Sequence, residues 1–249
     1  PHFTRRVTDR LVQWNQNVVK VETSRILTVV ERSILETMHR FFYNKSNGYY
    51  EQFAQDAQVC LGSFCSGGTL ANLTALWVAR NQWQAQNPRL NVAQAVVYAS
   101  GLAHYSILKA MNLLGLRDDQ LIRIPQSNES IPDLKALAGL IIEHQSEGLH
   151  PMVLIGVAGA TETGSIDPLE CFAEIAQTHK LFYHVDAAWG GAFILSRFKH
   201  LLKGIEHADS ITIDPHKQLY TPMGLGLVLF KQEMSANVIE HHARYILRK

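Results

Sequence analysis

Apolar residues recur along this chain with two different periods, and the way the two alternate predicts its architecture. Over residues 24–42, Ile26, Leu27, Val30, Ile34, Leu35, Met38 and Phe41 fall three and four apart, the spacing of one face of a helix. Asn44, Ser46 and Gly48 then break the pattern. A short apolar stretch at 61–65 follows, and Ser66-Gly67-Gly68-Thr69 opens a second helix that runs to about Trp83. Beyond it, strands are predicted at 95–99, 121–124, 152–158, 181–185, 210–213 and 225–230. Between them lie helices at 104–114, closed by Gly115, at 133–147, and from Asp167-Pro168 onward, where Asp is a good N-cap and Pro suits the first position. A last helix is predicted over 238–247. The stretches 152–158 and 181–185 are apolar at nearly every position, as strands covered on both faces are.

Strands that alternate with helices of ten or more residues predict an α/β domain, a mostly parallel sheet with helices on both faces. Residues 1–19 are polar, with only a turn or cap signal at Asn15-Gln16-Asn17. Residues 1–50 read as a helical lead-in and 51–249 as the main domain, without repeat, low-complexity segment or linker.

The residues that carry chemistry gather at strand ends, where open α/β sheets bind their ligands. Pro215 ends the strand 210–213, and His216 and Lys217 follow it. A lysine beside an imidazole is a candidate amine nucleophile for a Schiff base, although a lone one reads equally as a solvated loop residue. Asp186 closes an apolar strand, where a carboxylate needs a cationic or hydrogen-bonding partner. A protonated pyridine nitrogen is one such partner; a helix cap or an ion pair is another. Ser66-Gly67-Gly68-Thr69 places glycines and hydroxyls at a helix N-terminus, a natural anion cradle. It is neither a Walker A loop nor a G-x-G-x-x-G fingerprint, and alone it reads as readily as a tight turn. Lysine, strand-end acid and phosphate cradle together are what a pyridoxal phosphate site requires. His104, at a helix start after a strand, can stack on an aromatic cofactor or act as a cap. A metal site ranks third: His184 and Asp186 have no third ligand at a defined spacing. Trp77, Trp83, Phe172 and Phe182 read as core, and His241-His242 as solvated.

Composition narrows the class. A hydrophobic share of 47% against 18% charged fits a soluble globular domain. A net charge of +1 leaves no electrostatic footprint for nucleic acid or a membrane surface. No apolar run is long enough to span a bilayer, and the polar, basic first ten residues lack the core of a signal peptide. Cys60, Cys65 and Cys171 lack metal-ligand spacing and are odd in number, which points to reduced thiols and a cytoplasmic setting. A start without Met and an end just after a helical pattern suggest a piece of a longer protein.

Taken together, these residues resemble the group II pyridoxal-phosphate-dependent amino-acid decarboxylases, the family of glutamate, aromatic amino-acid, cysteine-sulfinate and diaminobutyrate decarboxylases. The similarity runs from about Asn15 to the end of the chain. It is carried by residues 62–76 around Ser66-Gly67-Gly68-Thr69, by Ala103-His104-Tyr105-Ser106, by residues 184–191 and by residues 208–217. The resemblance implies the large domain of a type I pyridoxal-phosphate enzyme. Lys217 would carry the cofactor and Asp186 would pair its pyridine nitrogen. Ala188 would lie against one ring face and His104 against the other. Ser66, Gly67, Gly68, Thr69, Asp214 and His216 would complete the cofactor site around the phosphate, and Lys217, Asp186 and His104 would be the catalytic set, with no metal. Two positions depart from the family: Val157 stands where Thr is frequent, and Asp214 where Asn is. The implied activity is α-decarboxylation of an acidic amino acid, glutamate or aspartate, with diaminobutyrate close behind. Aminotransfer or carbon–sulfur cleavage on the same fold, and cofactor binding without catalysis, are the rival readings. The resemblance also implies a cytoplasmic homodimer with a small-molecule substrate. A C-terminal small domain beyond Lys249, with a mobile loop and a carboxylate-binding arginine, is expected as well.

Overall fold

The computed structural model describes residues 2–13, 24, 26–126 and 131–241. Helices at His2–Val12, Ile26–Tyr43 and Asn47–Phe53 lead into the strand β1 (Gly62–Cys65) and a long helix, Gly68–Gln86. Then follow β2 (Ala95–Ser100), a helix Ser106–Leu113, β3 (Leu121–Ile124), a helix Leu134–Ser146 and β4 (His150–Val157). A helix Leu169–His179 precedes β5 (Phe182–Asp186), β6 (Ser210–Ile213) and β7 (Gly226–Phe230). The strands form one sheet in the order β1-β7-β6-β5-β4-β2-β3.

The pairs β2–β3, β2–β4, β4–β5 and β5–β6 are parallel, as the alternation of strands and helices predicts. The other edge is antiparallel, β6 with β7 and β7 with β1. No helix lies between β6 and β7, so the chain has no crossover with which to return parallel. Side-chain alternation then divides the core. Val96, Tyr98, Leu154, Tyr183, Val185, Ile211 and Ile213 pack on one face with Leu137, Ile141 and Phe172 of the helices that start at Leu134 and Leu169. Ala95, Val97, Ala99, Val153 and Ile155 pack on the other, against Leu76, Trp83, Ile107 and Met111 of the helices that start at Gly68 and Ser106. On β5 and β6 this second face is polar, carrying His184, Asp186, Ser210 and Thr212, all buried. Those four positions mark where the sheet stops being only a core.

Several sequence expectations need correction. The helix expected at 238–247 is absent where the chain is described: Ser235–Ile239 is a 3-10 turn, and residues 242–249, with the second histidine of His241-His242, lie outside the described residues. His241 is exposed, as expected, with its ring 6.3 Å from Trp77, but on no helix. Asn15-Gln16-Asn17 also lies outside them. The breaker at 44–48 is narrower than expected, because Ser46 accepts a hydrogen bond from the Tyr49 N–H and caps a further helix, Asn47–Phe53. Asp167 is not a helix cap. Its carboxylate turns inward and accepts from the Val157 N–H at 2.7 Å and the Ser100 hydroxyl at 3.1 Å. Trp77 and Phe182 are only half-buried, whereas Trp83 and Phe172 belong to the core. No described helix is long and apolar enough to cross a membrane.

The lead-in helix Ile26–Tyr43 is tied to the sheet by a buried imidazole. His39 Nε2 donates to the Phe230 carbonyl at 2.9 Å, so Nδ1 is left to accept from the Tyr50 hydroxyl at 2.8 Å. Burial lowers the His39 pKa to about 4. An unfolded histidine binds its proton near pH 6.5, so this group contributes stability above that pH and loses it as pH falls toward 4. His39→Gln is therefore expected to remove on the order of 2–3 kcal/mol of pH dependence between pH 7.5 and 4.5. Chemical denaturation of both proteins across that range measures it, and parallel curves would contradict it.

Candidate active site

The carboxyl ends of β2, β4, β5 and β6 converge with the N-terminus of the Gly68 helix around a cavity of about 200 Å³. All ten residues picked out from the sequence line it: Ser66, Gly67, Gly68 and Thr69; His104; Asp186 and Ala188; Asp214, His216 and Lys217. Val157, at the end of β4, lines it too. The chemistry is thus gathered by topology, since parallel strands deliver successive loops to one edge of the sheet.

One wall is a cradle built from close backbone approach. Gly67 has φ 126°, outside the range of ordinary side chains, and no side chain caps the helix that it starts. A Cβ on Gly68 would lie 2.8 Å from Asp214 Oδ2, and a Cβ on Gly226 would lie 2.4 Å from the Gly67 carbonyl carbon. Gly67, Gly68 and Thr69 line the cavity, which therefore lies at the N-terminus of this helix, the positive end of its dipole. His216 stands beside them, its Cε1 3.8 Å from the place a Gly67 Cβ would take.

The second wall is the loop between β6 and β7. Lys217 Nζ lies 2.9 Å from Asp214 Oδ2, and His216 Nε2 lies 4.0 Å from the same oxygen. His216 Nδ1 donates to the Leu225 carbonyl at 2.7 Å, which turns Nε2 toward Asp214. The backbone of this loop is stitched down: Asp214 N–H bonds to Ala188 O, Lys217 N–H to Asp214 O, and Thr221 N–H to Pro215 O. The acid at 214, a departure from the resembled family, thus sits between the Lys217 amine and the His216 imidazole. Its other oxygen, Oδ1, is buried with no hydrogen-bond partner among the described residues.

Asp186 forms the floor. It is 6% exposed; Oδ2 accepts from Asn72 Nδ2 at 2.8 Å and Oδ1 from the Ala188 N–H at 3.1 Å. Opposite, His104 is half-buried, its Nδ1 2.9 Å from the Ser106 hydroxyl, and burial lowers its pKa. Sequence reasoning passed over Asn72 and Ser106, although both line the cavity. A signal existed for Asn72, which falls on the helical stripe of Leu76, Ala79 and Trp83, where an amide is out of place. Ser106 gives no such signal. His184 is unavailable as a metal ligand, since Ser210 and Asn72 engage its two ring nitrogens. Among the described residues no three metal-ligating side chains converge.

These features suit a flat heteroaromatic phosphate ester. An uncapped helix start with adjoining glycines and hydroxyls can hold a phosphate, with Lys217 offsetting the Asp214 charge. A buried carboxylate on the floor can hold a protonated ring nitrogen, and a lysine can bind an aldehyde carbon.

Comparison with known proteins agrees. The model of the pyridoxal-dependent decarboxylase conserved domain matches residues 7–247. An aspartate 1-decarboxylase of Aliivibrio fischeri is 43% identical, over all of this chain and 48% of its own length. An L-2,4-diaminobutyrate decarboxylase of Rhizobium meliloti is 33% identical, over 93% of this chain and 44% of its own. The chain therefore spans about half the length of these curated relatives. Among solved structures, the glutamate decarboxylase domain of diaminobutyrate-pyruvate transaminase and L-2,4-diaminobutyrate decarboxylase from Vibrio parahaemolyticus superposes with a TM-score of 0.84. It is 25% identical, and the match covers 95% of this chain and 50% of that one.

The glycine contact makes a sharp prediction. Backbone lies on both sides of the Gly226–Gly67 approach, so neither partner can move aside like a flexible side chain. Gly226→Ala is expected to cost about 1–3 kcal/mol of stability by overpacking. It should also weaken phosphate-ester binding through the displaced cradle. Denaturant titration and ligand titration together test this; a neutral substitution would mean that β7 does not brace Gly67.

Proposed function

We propose, for a chain that belongs to the pyridoxal-dependent decarboxylase family, that it carries the cofactor site of an amino-acid α-decarboxylase whose substrate is acidic, with aspartate foremost. The observation that carries the reading is one cavity lined by the Gly67-Gly68 cradle, Asp186 and Lys217. Aspartate stands foremost because the aspartate 1-decarboxylase shares 43% identity with this chain, against 33% for the diaminobutyrate decarboxylase. Diaminobutyrate is the second reading, favoured by the Rhizobium relative.

When bound, pyridoxal 5'-phosphate supplies a conjugated ring that accepts the electrons left at Cα as carbon dioxide departs. The protein's part is binding, orientation and proton control. The N–H groups at Gly68 and Thr69, with Ser66 and His216, would hold the phosphate. Lys217 would carry the cofactor through Nζ, with Asp214 keeping that amine at the cavity wall. Asp186 would hold a proton on the ring nitrogen, and Asn72 and the Ala188 N–H would fix its carboxylate for that task. Ala188 and His104 would confine the ring between them. Orientation of the breaking bond is worth roughly 7–11 kcal/mol in well-positioned systems. A group that grips the substrate carboxylate is accordingly part of the proposal, and an arginine of a further domain would supply it. Tyr105, Tyr220 and Met223 leave large apolar surfaces exposed, at 65%, 74% and 86%. Covering them in a homodimer accords with this reading, as does a cytoplasmic setting.

Three measurements test the proposal. Carbon dioxide release from aspartate, glutamate and 2,4-diaminobutyrate should show the highest kcat/KM for aspartate; a panel with no release would refute decarboxylation, and diaminobutyrate in first place would select the second reading. Borohydride reduction should fix pyridoxal phosphate covalently on Lys217 and on nothing in Lys217→Ala; a label on another lysine would refute that assignment. Asp186→Asn should lower kcat by at least about a hundredfold while the fold persists, since the lost charge matters most in the transition state. Near-native turnover would remove Asp186 from the chemistry.

A further inference from the structure

Beneath the cavity runs a chain of side chains of which the chemistry described above uses only the ends that reach Asp186 and His104. It starts at Ser210 on β6, passes through His184 on β5 and reaches Asn72 on the Gly68 helix. His184 Nδ1 lies 2.8 Å from Ser210 Oγ, and its Nε2 lies 3.0 Å from Asn72 Oδ1. The Asn72 amide nitrogen then forks, donating to Asp186 Oδ2 at 2.8 Å and to Ser106 Oγ at 3.0 Å. Ser106 Oγ is 2.9 Å from His104 Nδ1. Asn72, Ser106, His184 and Ser210 are buried to 1% exposure or less. Side chains buried this deeply find their partners chiefly in one another, so donors and acceptors must match along the chain.

Matching them leaves one arrangement. A carboxylate only accepts, so the edge of Asn72 that faces Asp186 must be its NH2 group. Turning the amide over would set its oxygen against a carboxylate oxygen at 2.8 Å and leave Ser106 without its donor. With the NH2 toward Asp186, the amide oxygen faces His184, and His184 must donate from Nε2. In the neutral ring that burial favours, its Nδ1 is then bare and accepts the Ser210 hydroxyl proton. On the other branch Ser106 Oγ accepts from Asn72 and passes its own proton on to His104 Nδ1. The Ser106 backbone N–H also points at that nitrogen, at 3.3 Å, which independently requires Nδ1 to be an acceptor. Burial lowers the pKa of both histidines, in keeping with neutral rings.

We infer that Asn72 is the positioning residue that sets the hydrogen-bond polarity of this site, fixing the Asp186 carboxylate and, through Ser106, holding His104 as the tautomer with bare Nδ1 and protonated Nε2. The single amide thereby couples the acid on the cavity floor to the imidazole opposite. A change at either is felt at the other through three hydrogen bonds. The inference concerns side chains alone and does not depend on which reaction the cavity performs; only the use made of His104 and Asp186 rests on the proposed function.

Nitrogen-15 NMR of the imidazole rings tests it on the purified protein, with and without pyridoxal phosphate, with His104→Gln assigning one of the two rings. The wild type should show His104 and His184 both bare at Nδ1 and protonated at Nε2. Either ring protonated at Nδ1 instead would overturn the assignment. Ser106→Ala keeps the backbone N–H at 3.3 Å and loses only the hydroxyl, so His104 should move part of the way toward an average of its two tautomers while His184 stays put; an unchanged His104 signal would overturn the link through Ser106. Asn72→Asp keeps the shape but removes both amide donors, and should disturb both rings and raise the dissociation constant for pyridoxal phosphate at least about tenfold. Wild-type affinity in a folded Asn72→Asp protein would refute the positioning role. If that variant does not fold, the wild-type and Ser106→Ala spectra decide the question. Correct tautomers with no carbon dioxide release from any substrate would leave this inference standing and the proposed function refuted.

Discussion

A carboxylate shut between a sheet and a helix has to be satisfied by what packs on it, and the hydrogen bond from Asn72 to Asp186, at 2.8 Å, is the contact that lets the rest of the site exist. It helps make tolerable the buried polar face that His184 and Asp186 form on β5. His184, Asp186, Ser210 and Thr212 lie on the face toward the Gly68 helix; Asn72 bonds His184 and Asp186 directly, Ser210 joins through His184, and Thr212 Oγ1 is buried with no hydrogen-bond partner among the described residues. The same helix brings its N-terminus to the cavity rim. A single element therefore supplies the open N–H groups at one end of the cavity and, one turn further along, the amide that holds the acid at its floor.

The parallel part of the fold was legible because its strands are apolar at nearly every position and its helices carry clear starts, such as Asp133 after Pro132. The antiparallel edge was not, since direction depends on the absence of a crossover helix between Ile213 and Gly226, which periodicity alone does not register. Asp167 misled for a physical reason. Asp before Pro is a good cap by local chemistry, but a deeper pair of donors, the Val157 N–H and the Ser100 hydroxyl, captures the carboxylate. Local propensity lost to tertiary hydrogen bonding, the usual order when both compete for one side chain.

The candidate site was more legible than the fold's details. Lysine, acid and glycine pair occupy strand and helix ends, and topology alone brings such ends together. The supporting residues were not, because Ser106 and His184 acquire meaning only through partners 34 and 26 residues away in sequence. The acid at 214 is answered by Lys217 at 2.9 Å. Val157 contributes an apolar wall, with its backbone N–H given to Asp167.

The stitched loop after β6 carries a consequence for motion. Asp214, His216, Lys217 and Thr221 are each tied by a backbone hydrogen bond, so the main chain at the lysine has little freedom of its own. What remains mobile is the four-carbon stem, whose side chain is 36% exposed. Picking up and letting go of a partner at Nζ thus requires rotamer hops, which belong to the picosecond-to-nanosecond range, and no rearrangement of the loop. The amine behaves as a short tether on a fixed post, and its reach is an arc set by bond rotations alone. Presenting the Lys217 amine to the cavity is thus a matter of side-chain torsions and not of loop movement.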